Sequence, residues 1–192
     1  MTPSPCLLIV NGHPATGKTT LAEFLSRRLA LPLLSKDYVK ETLGDQLGTA
    51  SYEDSTRLGR AAFEIIFTLA ESWLGSGGSV ILESPLRADI EDSRIARLES
   101  ECPCTATQIV LTADPATLSQ RYRLRSREPS RHHTHFDHER FSQIDAMVAE
   151  PLKPLTVFAG TLTVDTSDWT KVDYDSILDW VLESTNLSDR RT

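Results

Sequence analysis

The 192 residues carry a net charge of −7, with 40% hydrophobic and 24% charged residues. That length supports one domain with a sizeable core, and no apolar run approaches the roughly 20 residues that cross a bilayer. The acidic balance argues against bulk nucleic-acid binding, because most of the surface would repel a polyanion.

The continuous apolar run Cys6 to Val10 predicts a buried strand, and Lys18 to Leu29 a helix with Leu21, Phe24, Leu25 and Leu29 on one face. No basic leader precedes the first apolar run, and the three cysteines lack the spacing of a disulfide or zinc framework, so the expected setting is reducing and cytoplasmic. Leu31 to Leu34 reads as a second strand and Asp37 to Leu43 as a helix. Helical spacing runs from Arg57 to Leu74 and stops at the turn signal Gly75 to Gly78, after which Ser79 to Leu82 is a strand. A helix at Ile90 to Leu98, a strand at Thr105 to Thr112 and a helix at Pro115 to Arg125 follow. Arg127 to His138 has no periodicity and reads as a loop; a helix at Glu139 to Val148, a strand at Thr161 to Val164 and a helix at Tyr174 to Leu182 complete the pattern. Strands separated by helices predict an α/β fold, a parallel sheet covered on both faces. A single domain is expected over residues 1–187, with a frayed tail at 188–192.

Between the first strand and the first helix stands Gly12-His13-Pro14-Ala15-Thr16-Gly17-Lys18-Thr19-Thr20, which satisfies G-x-x-x-x-G-K-[ST] in the context that motif requires. Successive backbone N–H groups and the helix N-terminus form an anion site. Lys18 would reach the β- and γ-phosphates of a nucleoside triphosphate, and the Thr19 hydroxyl would ligate Mg²⁺. No N-K-x-D guanine motif occurs, and the chain is too short for a mechanochemical ATPase, which leaves the small kinases.

The second strand leads into Ser35-Lys36-Asp37-Tyr38-Val39-Lys40, which puts Asp37 and Lys40 beyond its C-terminal end, where open parallel sheets hold their ligands. Asp37 either caps the helix that follows or accepts the proton of an attacking hydroxyl. A second concentration of chemistry is basic: Arg121, Arg123, Arg125, Arg127, Arg131 and Arg140, interleaved with His132, His133, His135 and His138. Arg121 and Arg125 share a helical face. For the histidines three readings stay open: a metal site, contact with substrate or nucleotide through His132 or His135, or a solvated loop.

The two stretches G-H-P-A-T-G-K-T-T and S-K-D-Y-V-K-E-T-L together resemble the small P-loop kinases related to phage polynucleotide kinase, with chloramphenicol phosphotransferase and the zeta-type toxins as more distant relatives. The resemblance implies a three-layer α/β/α sandwich with sheet order 2-3-1-4-5 and a lid at about residues 126–138. It implies ATP and Mg²⁺, with Asp37 as base and Lys18 and Arg125 as the other catalytic residues. Arg121 joins the loop in nucleotide binding, and Glu83, at the end of V-I-L-E-S, joins Thr19 at the metal. Lys40 stands where the group usually has an arginine, and it, Asp37, Glu83 and Arg87 would meet the acceptor. The expected activity is transfer of the γ-phosphate to a hydroxyl of a small molecule. The alternatives are a regulatory ATPase, a nucleotide-sugar kinase of the zeta-toxin type, and a polynucleotide 5′-hydroxyl kinase.

Overall fold

Residues Cys6–Gly12 form β1, and all seven side chains are buried. A strand with no exposed face belongs in the middle of a covered sheet. In the computed structural model, which describes residues 4–157, 159–185, 187 and 188, β1 runs between β3 (Val80–Glu83) and β4 (Thr105–Thr112). The short β2 (Leu33–Ser35) and β5 (Gly160–Asp165) are the edges. All pairings are parallel, and the order β2-β3-β1-β4-β5 is the expected one. Burial alternates along β5 between half-buried and exposed, as suits an edge strand.

Alternation along the strands divides the core in two. Leu7, Ile9, Val80 and Leu82 face α3 (Tyr52–Gly75) and α4 (Ala88–Glu101), packing on Ile66, Phe67, Ala70, Leu74, Ile95 and Leu98. Cys6, Leu8, Val10, Ile81, Ile109 and Leu111 face the other way, onto α1 (Lys18–Leu29) and α7 (Tyr174–Ser184). A small third cluster, Leu118, Tyr122, Ile144 and Val148, joins α5 (Pro115–Arg125) to α6 (Phe141–Ala149). Ala15 of the glycine-rich loop packs against it. The three cysteines are free and buried. No helix among the described residues is long and apolar enough to cross a membrane.

Among the boundaries that differ from expectation, the start of α3 and the stretch before α6 have a clear physical cause. Helix α3 starts at Tyr52 rather than Arg57, because the Ser51 hydroxyl caps it by accepting from the Asp54 amide at 3.1 Å and Glu53 and Asp54 fill its first turn. That start is polar and leaves no trace in apolar spacing. The stretch from Arg127 to His138, read as a loop, contains 3-10 turns at His133–His135 and Asp137–Arg140, separated by Phe136 at φ 50°. Buried Asp137 anchors them by accepting from Tyr122 Oη at 2.6 Å and from Arg131 Nε at 2.5 Å. Helix α6 consequently begins at Phe141, not Glu139. Of the tail, residues 189–192 lie outside the described residues.

Candidate active site

Parallel strands deliver their C-terminal ends to one edge of the sheet. Here Gly12, Ser35 and Glu83 arrive together, with Glu83 in register with both Val10 and Ser35. A cleft of about 540 Å³ opens at this edge, lined by Lys18, Thr19 and Thr20, by Asp37 and Glu83, and by Arg121, Arg125, Arg131 and Arg140 among others.

The loop between β1 and α1 takes a path that two glycines make possible. Gly12 has φ 152°, and a Cβ there would lie 2.6 Å from the Leu111 carbonyl oxygen. Gly17 sits in the left-handed region at φ 83°, pressed under the Trp169 ring. Asn11 stiffens the entry: its Oδ1 accepts from the amides of Gly12 and Leu86, both at 2.8 Å. Pro14, Ala15, Gly17, Lys18, Thr19 and Thr20 face the cleft. Thr16 is buried with its hydroxyl on the His13 carbonyl at 2.8 Å, and the His13 ring bonds the Glu150 carbonyl at 3.0 Å. Lys18 is nearly buried, with Nζ donating to the His13 carbonyl at 2.9 Å. Burial draws its pKa down against the opposing pull of Glu83 and Asp37.

Asp37, one residue into α2 (Lys36–Leu47), is partly exposed and accepts from Lys36 Nζ at 2.9 Å. Burial alone would raise its pKa. Lys36, His135 and Arg131 outweigh that and hold the carboxyl well below the usual range, so it is ionised at neutral pH. His135 is buried, lines the cleft, and bonds Glu41 Oε1 at 2.6 Å. A solvated ring is thereby ruled out for His135.

Glu83 is 4% exposed and accepts from Ser35 Oγ at 2.6 Å; burial raises its pKa. The Thr19 hydroxyl and the Glu83 carboxylate are hard oxygen donors in one cleft, the donor type that Mg²⁺ takes. The arginines divide by direction. Arg123 turns outward to Asp145 at 2.9 and 2.5 Å, and Arg127 is exposed. Arg121 lies 4.6 Å over the Trp169 ring and donates to the Thr166 and Ser167 carbonyls. Arg125 has a buried Nε with no partner, which fits a cleft meant to hold an anion, since buried donors are as a rule satisfied.

Two expected acceptor contacts stand apart from this cleft. Arg87 is engaged by Asp89 two residues on, at 3.1 and 2.5 Å, and does not line the cleft. Lys40 lines a neighbouring groove instead. His132 Nε2 bonds Asp45 at 3.1 Å, and with His133 these residues bring three ligand atoms within 4.8 Å of one another. The amide of Thr134 points at His132 Nδ1, at 3.3 Å. These contacts clasp the turn that carries His132 to α2. Sequence reasoning missed Lys36, Arg131, Arg140 and Trp169 as cleft residues. The position of Trp169 just past β5, at the ligand-bearing edge, was the available signal for it.

An AAA domain family matches residues 7–151, more than half of the chain. A shikimate kinase from Thermobifida fusca (strain YX) is 30% identical over 171 residues, covering 85% of this chain and 87% of that protein. The chain belongs to the family of small P-loop kinases. Among solved structures, a candidate kinase from Chloroflexus aurantiacus j-10-fl is 37% identical, with a TM-score of 0.87 over 94% of this chain and 98% of that one. Kti12 of Chaetomium thermophilum, solved with ADP-AlF3, shares the family's fold at 16% identity, with a TM-score of 0.65 over 93% of this chain and 98% of its own.

Proposed function

We propose that the protein is an ATP- and Mg²⁺-dependent phosphotransferase acting on a hydroxyl of a small molecule. The observation that carries this reading is the convergence, in one cleft, of the glycine-rich loop, an ionised carboxylate at Asp37 and the inward-facing arginines. A binding module for nucleotides has no need of the carboxylate.

The acceptor oxygen attacks the γ-phosphorus, its proton passes to the Asp37 carboxylate, and the bond from the γ-phosphorus to the β,γ-bridging oxygen breaks to leave ADP. A base of low pKa suffices, because the transition state is loose and the hydroxyl proton leaves late. Loop amides and Lys18 hold the β- and γ-phosphates, and Arg125 faces the charge spread over the transferring group. Thr19 and Glu83 would hold Mg²⁺, which would supply neutralisation of the phosphate oxygens. Arg121 and Trp169 form a flat surface that suits the nucleobase.

The test is ADP release screened across nucleosides, sugars, antibiotics and oligonucleotide 5′ ends, with Asp37→Asn in parallel. Transfer should fall roughly 10²- to 10⁴-fold in the variant while ATP binds as before. Unchanged transfer in Asp37→Asn would remove Asp37 as base. ADP release that no acceptor stimulates would favour a regulatory ATPase.

A further inference from the structure

Beside the main cleft lies a groove of about 370 Å³ between α2, α3 and the start of α6. Lys36 and Arg140 line both, so the two adjoin. Asp37 and Lys40 are three residues apart on α2, roughly 4.5 Å along the helix axis and on neighbouring positions of one face.

The charges in this groove are unevenly answered. Lys36 is paired with Asp37. Lys40 is only 3% exposed, yet its ammonium donates to a neutral group, Ser55 Oγ, at 2.8 Å. Arg140 Nε likewise donates to the neutral Gln143 Oε1 at 3.2 Å. Neither forms a salt bridge among the described residues. Lysines this deeply buried are normally paired. Space for a partner exists because α3 presents Gly59 here: a Cβ on it would come no nearer than 3.9 Å to the Lys36 and Lys40 stems. The acidic residues of the groove lie in α3 and α4, where Glu64 is engaged by Arg94 at 2.9 Å and Glu91 is 8% exposed.

We infer that the acceptor is a small hydroxylated molecule bearing an oxyanion, a carboxylate or a phosphate, which Lys40 and Arg140 hold in this groove while the hydroxyl meets Asp37. The inference rests on the phosphotransferase reading of the main cleft. It makes Arg140 and Lys40 the residues that determine acceptor specificity. A neutral analogue brings the buried ammonium no added counter-charge, and its affinity falls roughly 10- to 100-fold.

The experiment uses protein saturated with Mg²⁺ and the non-hydrolysable analogue AMPPNP. Binding of gluconate and glucose 6-phosphate is compared with that of glucitol and glucose, and glycerate and glycerol 3-phosphate are compared with glycerol. ADP release with ATP is measured on the same set. At least one acid should bind and stimulate release at least tenfold better than its neutral counterpart, and the carboxylate and phosphate arms tell which oxyanion is preferred. Arg140→Gln, at a partly exposed position, and Lys40→Met should raise the acceptor KM more than they lower kcat, with AMPPNP affinity retained, whereas Lys40→Arg should restore acid binding. Equal response to neutral and acidic acceptors overturns the inference, as does an unchanged KM in both variants or the failure of every acid to bind. ADP release indifferent both to acceptors and to Asp37→Asn sinks the phosphotransferase reading itself, and this inference with it.

Discussion

Between Gly12 and Lys18 the protein presents backbone to the cleft: a left-handed glycine at 17, a tight approach at 12, and one lysine folded back on its own loop. Across the cleft, between Arg121 and Arg140, it presents side chains whose positions depend on other side chains, most of them in other elements. Arg131 is set by Asp137 and Tyr122, His135 by Glu41, and Arg121 by Trp169. The first region is specified locally and the second by tertiary contact, so they should fail differently. A loop of glycines breaks through backbone strain. A wall of side chains breaks one function at a time.

The sharpest test of that contrast is Arg125→Ala. Its buried Nε has no protein partner to abandon, so the fold should hold while kcat falls on the order of 10³-fold; steady-state kinetics beside a denaturant curve would separate the two. Next comes Arg131→Met, on the same wall. The variant strips the counter-charge from Asp137, which is 4% exposed, and should lower unfolding free energy by about 3 kcal/mol, read as a shift in the denaturation midpoint. If Arg131→Met were as stable as the parent, the side-chain wall would not be held as described. On the loop side, Gly17→Ala forces φ 83° on a residue with a Cβ and drives that atom into the Trp169 ring. A cost on the order of 1–3 kcal/mol is expected, together with weaker ATP binding by calorimetry.

The smallest effect is a pH dependence at Lys40. Burial, then Lys36, pulls its ammonium down to about 8; Asp37 supports the charge, while Arg140 and Arg131 oppose it. Its hydrogen bond to α3 goes to the Ser55 hydroxyl. The folded-state pKa lies below the unfolded value of 10.5, so between about pH 8 and that value the folded chain binds fewer protons than the unfolded one. Stability from this group therefore rises with pH through that window. Binding of an anionic acceptor should move the opposite way, weakening as pH climbs past about 8. Both slopes should flatten in Lys40→Met.

The same contrast explains what could be read in advance. The phosphate loop is a contiguous string whose geometry follows from glycine and lysine at fixed offsets, and the strand order followed from the resemblance that string carries. Asp37 was readable as a cleft residue because it lies two residues past β2. Arg87 looked equally placed after β3, but Asp89, two residues on, captures it in the folded chain. Nothing periodic marks Arg131, His135 or Arg140. Arg131 is fixed by Asp137, which Tyr122 of α5 holds in turn, and His135 by Glu41 of α2, so apolar spacing within the segment carries no trace of either. The early start of α3 was different in kind: Ser51 and Asp54 are a legible cap, hidden only because apolar spacing was the signal followed.

The indole of Trp169 rests on Gly17, with the Arg121 guanidinium over its ring. The protein has three tryptophans, and of these Trp169 is the one that lines the main cleft. On the proposed function, its emission becomes a native optical gauge of nucleotide binding. In a Trp73→Phe, Trp180→Phe background the fluorescence would follow occupancy in real time, without labels and without knowing the acceptor.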